Sequence, residues 1–86
     1  MINNLYEYQT FVLAKDVIVG DTVLSFEDNG SGVRLKILGV IFSVEHERVN
    51  QTLMYVFMKI LWSDASITSW SYVRGDDVGI CILKRV

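Results

Sequence analysis

The chain has 86 residues, 51% of them hydrophobic, with ten aromatics, one Cys and no Pro. That length holds one domain with one modest core, and the apolar content excludes a largely disordered chain. Eight Lys and Arg against ten Asp and Glu leave a net charge of −2, without the basic footprint of a duplex nucleic-acid binder or of a protein held on an anionic membrane.

The single Cys81 excludes an internal disulfide and a Cys-based zinc centre, and fits a reducing, cytoplasmic compartment. The first 20 residues lack the basic start, apolar run and small-residue cleavage site of a signal peptide, and no apolar run reaches the ~20 residues that span a bilayer as a helix, so a soluble protein is expected. Acidic residues concentrate in positions 1–32, where Lys15 stands against Glu7, Asp16, Asp21, Glu27 and Asp28.

Residues 1–9 mix Leu5, Tyr6 and Tyr8 with polar residues and read as an N-terminal arm, with a β-domain over 10–85. Phe11 to Ala14 reads as a short buried strand. Lys15 to Asp21 reads as a turn in which Gly20 supplies positive φ and aspartates bind local amides. A second strand, 22–27, is expected to pair with the first as a hairpin. Asp28-Asn29-Gly30-Ser31-Gly32 is the clearest loop of the chain.

The long segment 33–45 alternates through Val33, Leu35 and Ile37 and then through Val40, Phe42 and Val44. The change of phase predicts a β-bulge or sharp bend at Leu38-Gly39. A polar loop is expected over 45–51, followed by a strand, 52–62, with apolar residues on both faces. Ser63 to Ser66 and Arg74 to Asp77 are expected to be turns around a strand at 67–73, and 78–83 a last strand. Six strands without a long helix predict an all-β domain, either a small SH3-like barrel or a strongly coiled antiparallel sheet of five to six strands.

The stretch Ala14-Lys15-Asp16-Val17-Ile18-Val19-Gly20-Asp21-Thr22-Val23 is followed by a Gly-rich hairpin, a long bent strand, and Trp70 before an Arg-Gly-Asp-Asp-Val turn. Together these resemble small bacteriophage proteins of SH3-like barrel type. The resemblance implies a phage origin and residence in the host cytoplasm. It also implies a task such as inhibiting a host complex or a bacterial defence system, or serving as a virion or assembly component. An Asp-Val-x-Val-Gly-Asp turn occurs in Hint and intein domains too, but the nucleophile and downstream His of those domains have no counterpart here, so splicing activity does not carry over.

Candidate chemistry is sparse. Cys81 lies between Ile80 and Ile82 and reads as a core residue, while His46 between Glu45 and Glu47 reads as a solvated loop residue, so the two do not suggest a nucleophile and its base. Asp76 and Asp77 read as caps for turn amides rather than cation ligands. No enzyme activity, cofactor or metal is therefore expected. Arg34, Lys36, Trp70, Tyr72 and Arg74 are candidates for stacking and phosphate contact with single-stranded nucleic acid or a nucleotide.

Strand 52–62 carries the stronger signal. Met54, Val56, Met58, Ile60 and Trp62 share one parity, Leu53, Tyr55, Phe57 and Leu61 the other, and one small core cannot take both. The surplus row is covered by the N-terminal arm or forms an interface. Leu53, Met54, Tyr55, Phe57, Met58 and Trp62 are the candidate interface residues for a protein partner or a homo-oligomer.

Overall fold

The computed structural model describes residues 8–28 and 30–85. It is all-β, with strands β1 (Gln9–Leu13), β2 (Thr22–Asp28), β3 (Val33–Arg48), β4 (Met54–Trp62), β5 (Ile67–Tyr72) and β6 (Gly79–Leu83). They form one antiparallel sheet in the order β1-β6-β2-β3-β4-β5. The sheet does not close into a barrel, so β1 and β5 are its edges. Of the two architectures expected from the sequence, the open, coiled sheet is the one formed.

The sheet curls around its inner face. Ile80 and Ile82 on β6 share a buried cluster with Val56, Met58 and Ile60 on β4, although β2 and β3 lie between those strands. Ala14 and Val17, in and just after a 3₁₀ turn (Ala14–Asp16), complete the core. Cross-links hold the curl in place: the Ala14 amide donates to the Val78 carbonyl, Lys15 to Gly75, and Gly75 to Met54.

Strand β6, the last in sequence, inserts between β1 and β2, so the expected β1–β2 hairpin does not form. The connection through residues 14–21 spans the inserted strand instead of turning tightly. The Gly-rich segment does join β2 to β3 as a hairpin, with Asp28 accepting the Gly30 amide.

Strand β3 departs most from expectation. Its register shifts where Phe26 follows Ser25 on β2, and again between Ile41 and Ser43 facing β4. The expected bulge at Leu38-Gly39 is absent, because Gly39 occupies a core-facing position opposite Trp62. A Cβ at Gly39 would lie 2.5 Å from Ile60 Cγ2 and 2.6 Å from Trp62 Cε3, so the indole fills the place a side chain would take. Inward positions are thus Ile37, Gly39, Ile41 and Val44, whereas Val40 and Phe42 face outward. The strand also continues to Arg48, so Glu45, His46 and Glu47 belong to β3 rather than to a loop. The true connection is residues 49–53, where the Asn50 side chain accepts from the Thr52 and Leu53 amides.

Candidate functional site

Alternation on β4 assigns its two apolar rows. Val56, Met58, Ile60 and Trp62 point into the core, with Met58 only 1% exposed, and Met54 packs against the core's edge. Tyr55, Phe57, Lys59 and Leu61 point outward. Met58 and Trp62 therefore leave the candidate interface for the interior, and Met54 goes with them in part. Leu53 stays half-buried in the β3–β4 connection, and Tyr55 and Phe57 meet edge-on with ring centroids 6.2 Å apart.

The outward row of β4 joins others across the sheet. Leu61 is in register with Val40 on β3 and Ile67 on β5. Leu38, next to Val40 on the same face, is in register with Leu24 on β2, which is 4% exposed yet lies outside the inner cluster. Phe11 and Cys81 face each other on β1 and β6. An apolar band thus crosses the outer face from one edge strand to the other. Phe11, Leu38, Val40, Phe42, Phe57, Leu61 and Ile67 are all exposed along it, Phe11 to 67% and Ile67 to 61%. At its centre Thr22, Leu38, Val40, Leu61 and Leu83 border a shallow depression of about 460 Å³.

Charge frames the band unevenly. Glu45 and Glu47 on β3 stand opposite Phe57 and Tyr55, giving the far half of the face an acidic margin. Lys59 sits between Ser43 and Ser69 at a smaller hollow of about 250 Å³. The face offers broad apolar contact, with two carboxylates and one ammonium able to set orientation. Comparison with family models, curated proteins and solved structures finds no match.

The proposed nucleic-acid set is not gathered on one face. Trp70 and Tyr72 lie on the inner side of β5, Trp70 tilted against Trp62 and edge-on to Tyr72 at centroid distances of 5.7 and 6.3 Å. Arg34, paired with Glu27 at 3.4 Å, lies ten positions along β3 from Val44, the residue in line with Met58 and Trp70. That separation is about 30 Å along a strand. Lys36 lies on the same remote stretch, and Arg74 is held by Asp77 at 2.7 Å.

Two other sequence readings change. Cys81 is half-buried on the outer face, its Sγ 3.5 Å from Gln9 Oε1, rather than in the core. Burial pushes its thiol pKa upward. Asp76 and Asp77 serve ion pairs instead of turn amides: Arg48 reaches both Asp76 oxygens at 3.2 and 3.3 Å, with Lys15 3.9 Å away. Among the described residues no cluster of His, Cys, Asp and Glu is arranged to hold a metal ion. Leu5 and Tyr6, the suggested cover for a surplus row, lie outside the described residues, and Tyr8 is exposed.

The outer band was only half legible. The surplus of apolar residues on β4 announced it, but Val40, Phe42, Leu38 and Ile67 were missed. No local signal marks them, because the inward parity of β3 is set by Gly39 facing Trp62 across the sheet, which sends its neighbours Leu38 and Val40 outward.

Proposed function

We propose that this chain is a non-enzymatic protein-binding module that docks through the outer face of its sheet. The observation that carries the reading is the apolar band that runs across the outer face from Phe11 to Ile67 and is exposed over β3, β4 and β5 through Leu38, Val40, Phe42, Phe57, Leu61 and Ile67, on the side opposite the core. The six strands, spaced about 4.8 Å apart with about 3.3 Å per residue, give a whole sheet face on the order of 700 Å², of which the apolar band is the central part, against about 800 Å² for one side of a standard interface. Isolated exposed apolar residues are ordinary on protein surfaces, whereas a band of this extent marks a docking site.

The partner is a protein surface with an apolar centre and a basic margin to meet Glu45 and Glu47. In the phage setting that the sequence resembles, that surface belongs to a host or phage protein complex, and covering it would inhibit or redirect the complex.

The test pairs Val40→Asp with Leu61→Asp. Both side chains are exposed, so the double variant should keep the wild-type circular dichroism spectrum. In parallel captures from native-cell lysate, a protein retained by wild type and by Lys84→Ala but lost by the double variant supports the reading. Identical captures by all three would overturn it.

A further inference from the structure

We propose that the chain forms a two-fold symmetric dimer by antiparallel pairing of β5 with β5 of a second copy, with Ser69 on the axis. The proposal rests on the reading of the protein as an association module and supplies one partner, a second copy of itself.

Strand β5 is an edge to which no described strand pairs on its outer side. The Trp62 amide donates to the Ser66 carbonyl, which sets the ladder's alternation: even-numbered residues of β5 bond to β4. Ile67, Ser69 and Ser71 therefore turn both their N–H and C=O groups toward the open side. Natural sheets guard such edges with Lys, Pro, bulges or a covering segment. The sequence Ile67-Thr68-Ser69-Trp70-Ser71-Tyr72 contains no charge, no Pro and no Gly, and its pairing with β4 is regular throughout.

Geometry and charge select the register. Directly opposed residues of an antiparallel pair point to the same side of a sheet, so a residue must sit on the two-fold axis for the two outer faces to be continuous. With Ser69 on the axis, Ser69 meets its own copy and Ile67 meets Ser71, so every open amide of the strand finds a carbonyl. This register also sets the Asp64 turn of each copy beside the Arg74 end of the other. Arg74 itself is the residue brought in line with Asp64, its guanidinium 2.7 Å from Asp77. Moving the axis to Trp70 sets Asp64 against Asp76 instead, which is repulsive. The favoured dimer is a single twelve-stranded sheet with its two apolar bands on one side.

Sedimentation equilibrium over a wide concentration range is expected to show a reversible monomer–dimer system. Ser69→Pro removes the amide on the axis and leaves the β4 ladder intact, because that amide faces outward, and it should yield a folded monomer. Opposed residues of this kind have Cα atoms about 5.5 Å apart, within disulfide reach. In a Cys81→Ser background, Ser69→Cys should therefore cross-link between chains under mild oxidation, while Ser71→Cys should not. Arg74→Asp should weaken dimerisation roughly tenfold, and adding Asp64→Lys should restore most of it.

A wild type that remains monomeric at all concentrations overturns the dimer, as do equal cross-linking at 69 and 71 or head-to-tail assemblies larger than two. If Val40→Asp with Leu61→Asp abolishes dimerisation and Ser69→Pro does not, self-association runs through the outer face; that outcome sinks edge pairing and leaves the docking reading standing. Partner capture lost by the double variant, with the dimer cross-link intact, supports both as separate surfaces.

Discussion

Arg85 holds the carboxylate of Asp21 from 64 positions away in sequence, with Nε 2.8 Å from one oxygen and a terminal nitrogen 2.7 Å from the other. Asp21 is almost fully buried, and its side chain also accepts the Ile18 amide at 3.0 Å. The same terminal nitrogen of Arg85 donates to the Asp16 carbonyl. One carboxylate thus ties Arg85 to the turn that leads into β2, while the Asp21 carbonyl accepts the Ile41 amide and the Ile41 carbonyl accepts the Gly20 amide.

This arrangement predicts an acid-sensitive closure. The hydrogen bond from Arg85, helped by the Ile18 amide and opposed by burial, holds the Asp21 carboxyl below its ordinary value. A folded-state pKa below the unfolded one gives stability that is complete above pH ~4 and is lost as pH falls through the folded value. Arg85→Ala should move that loss to higher pH, because burial then acts on Asp21 without its cation. Asp21→Ala should cost about 2 kcal/mol at neutral pH and flatten the acid limb. Urea unfolding at pH 3 to 7 checks both; an Arg85→Ala profile parallel to wild type contradicts the account.

Gly39 and Trp62 predict a steric limit. A methyl group at Gly39 has nowhere to go between Ile60 and the indole, and Trp62 Nε1 is anchored to Thr68 Oγ1 at 2.6 Å. Gly39→Ala should therefore destabilise by about 2–3 kcal/mol, the range of overpacked cores. Trp62→Leu should be less harmful in the Gly39→Ala background than in wild type, because the two sites share the same space. Additive losses in a double-mutant cycle would show that the indole does not fill the glycine's place.

Gly39 also shows where the sequence is readable and where it is not. Strand content, the turns and the surplus on β4 are local patterns of parity and turn chemistry, and they are visible one segment at a time. The parity of β3 is not, because its inward positions include a glycine whose volume is supplied by a Trp 23 residues later. Val40 and Phe42 look like core residues until that substitution is seen. The exposed side of Cys81 is hidden for a similar reason: β6 is apolar on both faces, and only its insertion between β1 and β2 decides which row goes inward. Asp76 finds Lys15 and Arg48 through folding, so its ion pairs have no local signature.

Ala65 predicts a stabilising change. It has φ of +74° in the β4–β5 turn, where Ala65 N donates to the Trp62 carbonyl. The left-handed conformation costs a residue with a Cβ about 1–2 kcal/mol, part of which is offset by the greater chain entropy of glycine in the unfolded state. Ala65→Gly should raise stability by roughly 0.5 kcal/mol. Thermal unfolding followed by circular dichroism should show a higher Tm, and a lower one contradicts the strain.

Cys81 should be a slow nucleophile. Burial raises its thiol pKa, and Phe11 stands opposite it on β1. The thiolate is the reactive form, so alkylation at pH 8 should lag behind that of an unstructured cysteine peptide. Phe11→Ala should accelerate it by opening the outer side of β1. Equal rates for the folded protein and the peptide would place the thiol in open solvent.

Adjacent substitutions on β3 separate the two faces. Ile41 has no exposed surface, and a carboxylate there would be buried without a partner among Val56, Met58 and Ile60. Ile41→Asp should therefore unfold the domain, since the loss of a buried aliphatic and the burial of a charge exceed the few kcal/mol by which a domain of this size is stable. Val40→Asp, one residue earlier, meets solvent and Leu61 and should change stability by less than about 1 kcal/mol. Far-UV circular dichroism and urea midpoints give the comparison. A folded Ile41→Asp with an unfolded Val40→Asp would reverse the parity of β3, and with it the assignment of Val40, Leu61 and Ile67 to a docking face.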